Sequence, residues 1–219
     1  MLSAKELAKY FDHTLLDPSA NSAQIAALCE EAKSWGFYAV CVHPYFLDLC
    51  QRELMGSDVK LCTVVGFPLG QNTTATKTYE TQDAIEKGAE EIDMVINYAA
   101  LKEERMDFVK DDVAAVVTAA QGRPVKVIIE TCLLNSQQKI QATHLCEAAG
   151  AQFVKTSTGF SIAGASIEDI EIIKNSRQSN IKIKASGGIR DLPTALRFIE
   201  AGADRLGASK SVEIVKSLK

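Results

Sequence analysis

A length of 219 residues, with 47% hydrophobic and 24% charged side chains, suits one α/β barrel or two small domains and supplies apolar material for a large core. A formal net charge of −4 gives no basic footprint for nucleic acid or an anionic membrane, so a small anionic ligand has to be held by local features. No apolar run approaches the ~18 residues of a membrane span, and Met1-Leu2-Ser3-Ala4-Lys5-Glu6 lacks the charged-then-apolar layout of a signal peptide.

Along the chain, short β-branched runs alternate with longer amphipathic stretches, the pattern of βα units around a parallel sheet. The first run, Tyr10–Leu15, leads into a helix near Asn21–Ser34. Further strands are expected at Phe37–Val42, Lys60–Val65, Glu91–Ile96, Val125–Ile129, Phe153–Thr156, Ile181–Ala185 and Asp204–Leu206, each followed by a helical pattern. Gly36, Gly88, Gly150 and Gly202 fall where a left-handed helix C-cap wants glycine. Three of them share a phrase, Lys87-Gly88-Ala89-Glu90, Ala149-Gly150-Ala151-Gln152 and Ala201-Gly202-Ala203-Asp204, a weak internal repeat. The expectation is an α/β fold, a single (β/α)8 TIM barrel forming one catalytic domain over residues 1–219. The rival, an open doubly wound sheet, wants GxGxxG after its first strand, and Asp12-His13-Thr14-Leu15-Leu16-Asp17 contains no glycine.

Barrel chemistry lies at the C-terminal ends of the strands. Read in order these are Asp12, Cys41, Gly66-Phe67-Pro68, Asp93, Glu130-Thr131, Lys155, Lys184 and Gly207-Ala208-Ser209. Asp93, Lys155 and Lys184 are ionisable groups inside apolar strands, which a barrel covers on both faces, so each needs a partner or a task. One such lysine taken alone is as readily a solvated edge. Lys126 and Lys182 open their strands near the barrel bottom and read as structural. Lys155 and Lys184 end neighbouring strands ~4.8 Å apart. A cation beside another lowers the pKa of one lysine toward neutrality, and a three-unit shift from ~10.4 needs about 4 kcal/mol. Such an amine forms imines with carbonyl compounds, with Asp93 as proton acceptor or relay.

A second set suits an anion. Ser186-Gly187-Gly188-Ile189-Arg190 follows strand seven and Gly207-Ala208-Ser209 follows strand eight, the loops where barrels hold phosphate on backbone N–H groups and a helix N-terminus. Arg190 either adds charge there or faces solvent. Glu130 is either catalytic or an internal ion-pair partner, Cys41 a pocket wall or an inert buried thiol, and Gly66-Phe67-Pro68-Leu69-Gly70 a pocket wall or a rigid turn. The six cysteines show no CxxC pair and read as reduced thiols in a cytoplasmic protein. His13, His43 and His144 lack zinc-type spacing, so no metal is expected. On these residues alone an aldolase, a phosphosugar isomerase or epimerase, and a non-catalytic phosphometabolite-binding protein all stand.

The phrases Asp12-His13-Thr14-Leu15-Leu16, Val64-Val65-Gly66-Phe67-Pro68, Glu91-Ile92-Asp93-Met94-Val95, Lys126-Val127-Ile128-Ile129-Glu130-Thr131, Phe153-Val154-Lys155-Thr156-Ser157-Thr158-Gly159-Phe160, Lys184-Ala185-Ser186-Gly187-Gly188-Ile189-Arg190 and Gly207-Ala208-Ser209 together resemble the deoxyribose-phosphate aldolase family. The lysine phrase running into Thr-Ser-Thr-Gly is the most diagnostic. The resemblance implies a class I aldolase that reversibly cleaves 2-deoxy-D-ribose 5-phosphate to acetaldehyde and D-glyceraldehyde 3-phosphate in deoxyribonucleoside catabolism. It further implies a Schiff base on Lys155, proton transfers by Lys184 and Asp93, and no cofactor. Thr158, Gly187, Gly188, Gly207 and Ser209 would bind the phosphate end, with Asp12 and Thr14 supporting substrate and relay. The partner is then a small phosphorylated aldehyde; whether copies associate into a homo-oligomer stays open. Two positions depart from the pattern. Phe160 stands where some members carry a phosphate-binding lysine, and Val215-Lys216-Ser217-Leu218-Lys219 lacks the terminal tyrosine of others.

Overall fold

In the computed structural model, which describes residues 2–218, strands and helices alternate from end to end. Met1 and Lys219, the outermost residues of the two terminal segments read above, lie outside the described residues. In chain order the elements are α1 (Ala4–Ala8), β1 (Phe11–Leu15), α2 (Ser22–Trp35), β2 (Ala39–Val42), α3 (Leu47–Glu53), β3 (Lys60–Val65), α4 (Thr74–Glu86), β4 (Glu91–Val95), α5 (Tyr98–Lys102) and α6 (Met106–Ala119). There follow β5 (Val125–Ile128), α7 (Ser136–Ala148), β6 (Phe153–Lys155), α8 (Ile167–Ser176), β7 (Lys182–Ser186), α9 (Leu192–Ala201), β8 (Arg205–Ala208) and α10 (Ser211–Lys216). The strands pair in parallel in sequence order, and β8 returns to β1 through Asp12 opposite Gly207, closing a (β/α)8 barrel.

Local chemistry explains the alternation. In α2, Asn21 and Gln24 form a capping box, Ile25, Leu28, Cys29 and Ala32 repeat at helical spacing on the buried face, and Gly36 ends the helix in the left-handed region. Gly88, Gly150 and Gly202 likewise take positive φ where α4, α7 and α9 stop. Every expected strand overlaps an observed one, with ends differing by a residue or two, as fraying element ends do.

The main apolar core fills the shell between barrel and helices, where Val40, Ile92, Val127, Val154, Ile183 and Leu206 meet Ile25, Val113, Cys146, Ile170 and Phe198. A smaller cluster of Leu16, Ala39, Cys41, Cys62 and Val64 forms on the β2–β3 side. Much of the remaining interior is charged: Asp12, Asp93, Lys126 and Lys184 are all fully buried. Strand alternation places these residues on one face while their neighbours face the helices. Among the described residues, no helix is long and apolar enough to cross a membrane.

Candidate active site

Asp93 is the hub of the interior charges. Its Oδ2 accepts from Lys155 Nζ at 2.6 Å and from Lys184 Nζ at 2.7 Å. Its Oδ1 accepts from Lys126 Nζ at 2.9 Å and from the Cys62 thiol at 3.2 Å. Lys184 also donates to Asp12 Oδ2, and Arg205 Nη1 donates to Asp12 Oδ1 at 2.8 Å. Register brings Lys155 opposite Lys184 and Asp93 opposite Lys126.

Lys155 at the end of β6 and Lys184 in the middle of β7 are therefore joined through a shared carboxylate oxygen, not set against each other as two bare cations. Asp93 screens their mutual repulsion. Burial by itself would push the Lys184 ammonium down, yet Asp12 and Asp93 outweigh it and hold Lys184 above the ordinary lysine value. Burial would likewise raise Asp93, and Lys126, Lys155 and Lys184 together hold it well below the usual carboxylate range. Asp12 is lowered in the same way, against its own burial, by Lys184, Lys126 and Arg205. Both shifts favour the charged forms, an ammonium on Lys184 and a carboxylate on Asp93.

Above this network opens a cavity of about 430 Å³ at the C-terminal ends of the strands. Lys155 lines it, together with Thr14, Thr158, Phe160, Gly187, Gly188, Arg190, Gly207 and Ser209. Lys184, Asp93 and Asp12 lie beneath its floor. The structure thus places Thr14, Lys155, Thr158, Gly187, Gly188, Gly207 and Ser209 on the wall of one cavity and joins Asp12, Asp93 and Lys184 in the network next to Lys155. A larger groove of about 560 Å³ beside α7 and α8 is lined by His144, Glu168, Glu171 and Ser176 among others and holds no lysine or arginine.

Several residues named from the sequence also make contacts inside the protein. The Thr158 hydroxyl donates to Glu130 Oε2 at 2.5 Å and accepts from the Phe160 amide at 3.0 Å, while its own amide points to the same carboxylate. That hydroxyl proton is already committed within the protein. Glu130 itself is buried with φ 52°, in the left-handed region, where a non-glycine residue costs about 1–3 kcal/mol. Gly207 leaves room for Lys184: a Cβ there would lie 3.2 Å from Lys184 Cε and 3.1 Å from Ser186 Cβ. The N-terminus of α9 is closed by Asp191, whose side chain accepts from the Thr194 amide, so this helix end is not free for an anion. Thr14 uses its hydroxyl on the Asp12 carbonyl at 2.8 Å. Phe160, half exposed, packs edge-on to Phe67 with ring centroids 5.4 Å apart.

Lys182 is exposed, in keeping with a structural reading. Lys126 needs correcting as to place: it is wholly enclosed, bound to Glu91 at 2.7 Å and to Asp93. Glu91, Cys62 and Arg205 join the same network without standing out in the sequence. Their signal was parity, since Glu91 and Asp93 alternate on one strand and register sets Lys126 beside Asp93. Cys41, Cys62 and Asp93 come close enough to chelate an ion, but the Asp93 oxygens are taken up by three ammonium groups and a thiol.

Residues 7–211 match the family described as DeoC/LacD family aldolase. The chain is 52% identical to the deoxyribose-phosphate aldolase of Clostridium tetani, across 98% of this chain and all of that protein. Among solved structures it superposes on QR15, an aldolase, with a TM-score of 0.93 and 42% identity, covering 97% of this chain and 95% of that one. The tetrameric deoxyribose phosphate aldolase from Aeropyrum pernix gives 0.91 and 33%, covering 98% and 92%. A family match over nearly the whole sequence, carried by relatives this similar, means that the chain belongs to the DeoC/LacD family of aldolases.

Proposed function

We propose that this aldolase reversibly cleaves 2-deoxy-D-ribose 5-phosphate to acetaldehyde and D-glyceraldehyde 3-phosphate, through a Schiff base on Lys155. One observation carries the reading: Lys155 alone of the interior lysines lines the cavity, while Asp93 beneath it can receive its proton. The named relatives support the substrate.

The Lys155 amine attacks C1 of the open-chain aldehyde, and loss of water gives a protonated imine. The C3 hydroxyl then gives up its proton, the C2–C3 bond breaks, and its electron pair enters the iminium to form an enamine while glyceraldehyde 3-phosphate departs. Protonation at C2 and hydrolysis release acetaldehyde and restore the amine. Lys184, held protonated, is the donor in these transfers, and Asp93, an ionised carboxylate beneath the protonated imine, is the acceptor. Backbone amides of Gly187, Gly188 and Gly207 with the Ser209 hydroxyl take the phosphate; Thr158 serves them indirectly by fixing the loop through Glu130, and Asp12 anchors Lys184. The setting is cytoplasmic deoxyribonucleoside breakdown, in a homo-oligomer comparable to the tetrameric relative.

Acetaldehyde with borohydride should inactivate the protein and add one ethyl group to the peptide holding Lys155. Lys155→Ala should lose several orders of magnitude in rate, because the whole covalent route goes with it. A label on Lys184 would reverse the two roles. No stoichiometric label would favour an isomerase working by acid and base groups.

A further inference from the structure

The barrel interior below Lys155 is an ion cluster with unequal numbers. Four cationic side chains, Lys126, Lys155, Lys184 and Arg205, face three carboxylates, Asp12, Glu91 and Asp93. The other polar groups facing this space from β2 and β3 are the thiols of Cys41 and Cys62 beside Asp93. Burial first, then the Cys41 thiol and Asp93, push Cys62 up, while the hydrogen bond with Cys62 lowers Cys41 against its burial; both are counted as uncharged thiols. One positive charge is left without a matching carboxylate. An uncompensated charge is costly in a dry interior, and the group best placed to discard it will do so.

The contacts identify that group. Lys126 touches Glu91 at 2.7 Å and Asp93 at 2.9 Å, and lies 3.8 Å from Asp12. Lys184 has both Asp12 and Asp93. Arg205 has Asp12 at 2.8 Å and Glu91 at 3.5 Å, its guanidinium lies 3.3 Å from the Tyr38 ring centre, and guanidinium keeps its proton throughout. Among the described residues Lys155 has only Asp93, on the oxygen that Lys184 also uses, and it alone of the four opens on the cavity.

We infer that Glu91, Lys126 and Arg205, in the layer beneath the reacting lysine, are positioning residues that set the charge balance leaving Lys155 as the free amine. None of the three reaches the cavity. Lys126 and Arg205 saturate Asp93 and Asp12 from below, so the surplus proton is the one on Lys155, and Glu91 limits the surplus to a single charge. The inference rests on the Schiff-base reading of Lys155 and adds how the amine is made available.

The two signs of charge make it testable. Borohydride-trapped acetaldehyde adduct on Lys155, located by peptide mapping, is followed against pH in the wild type, Glu91→Gln, Arg205→Gln and Arg205→Lys. Removing the carboxylate enlarges the surplus, so the rising limb of Glu91→Gln should move to lower pH. Removing the guanidinium erases the surplus, so that of Arg205→Gln should move to higher pH. Each shift should be about one pH unit, and Arg205→Lys should stay with the wild type. A merely structural role would move both variants the same way or neither. Either of those results overturns the inference while leaving the Schiff base intact. An unlabelled wild type overturns the Schiff-base reading and this inference with it. Should Arg205→Gln not fold, the isosteric Glu91→Gln decides alone, and an unmoved or upward-shifted limb overturns the proposal.

Discussion

Glu130 holds the loop after β6 by one carboxylate. It accepts from both the hydroxyl and the amide of Thr158, and Thr158 in turn receives the Phe160 amide. A charge-assisted hydrogen bond of this kind is worth about 1.5–3 kcal/mol. Glu130→Gln keeps the shape but halves the acceptors, so one of the Thr158 donors loses its partner. On the proposed reading kcat/KM for the phosphorylated substrate should fall about tenfold to a hundredfold, mostly through KM. Imine trapping with acetaldehyde, which has no phosphate to place, should change little. Steady-state kinetics on the two compounds test this; an equal loss on both would tie Glu130 to the imine step instead.

At the scale of elements, the loops after β6 and β7 touch through glycine. A Cβ on Gly164 would stand 2.1 Å from the Gly187 carbonyl oxygen, a separation no real contact allows, and Ala165 donates its amide to that oxygen and to the Ser186 carbonyl. The segment from Gly159 to Gly164 and the Gly187-Gly188 turn are therefore one unit that shapes one wall of the cavity. Gly164→Ala should push that turn out of place, with a drop in melting temperature and at least tenfold weaker KM for the phosphorylated substrate, an order-of-magnitude figure for strain of about 1–3 kcal/mol. Gly122→Ala offers a control of a different kind. A Cβ there meets nothing within 4 Å, although its φ of 83° is strained for alanine, so it should lower stability without touching KM. Matching KM values for Gly164→Ala and the wild type would show that the two loops move independently.

For the whole molecule, the charged interior sets a pH window. Asp12 and Asp93 are lowered in the folded state, so their stabilising contribution is fully present above the unfolded value of ~3.9 and is lost as pH falls below it toward the folded values. The His13 imidazole is pushed down by burial, with Glu31 opposing. It adds a shallower loss beginning below about 6.5, where the unfolded state takes up the proton first. Thermal unfolding should therefore show a mild decline from pH 6.5 to 4 and a steep one below 4. A melting temperature that stays level between pH 4 and 3 would mean that the interior carboxylates do not depend on their cations as the structure implies.

Periodicity along the chain, with glycine where helices stop, was enough to specify the strand–helix alternation and the barrel, because both are local or nearly local consequences of residue type. The same is true of Lys155, Lys184 and Asp93 as candidates: an ionisable group in an apolar strand stands out without coordinates. What tertiary structure decided was the partnership among them. Asp93 comes from β4 and the lysines from β5, β6 and β7, and only barrel closure and strand tilt bring Arg205 and Asp12, 193 positions apart, within 2.8 Å. Lys126 looked structural because strand parity gives a face but not a depth. The family resemblance named Thr158 as a phosphate-binding residue, and nothing in its sequence context shows Glu130, 28 residues earlier, taking its hydroxyl hydrogen bond. Pattern fixes which side of a strand a residue occupies, whereas the charges it meets there are set by the other strands of the barrel.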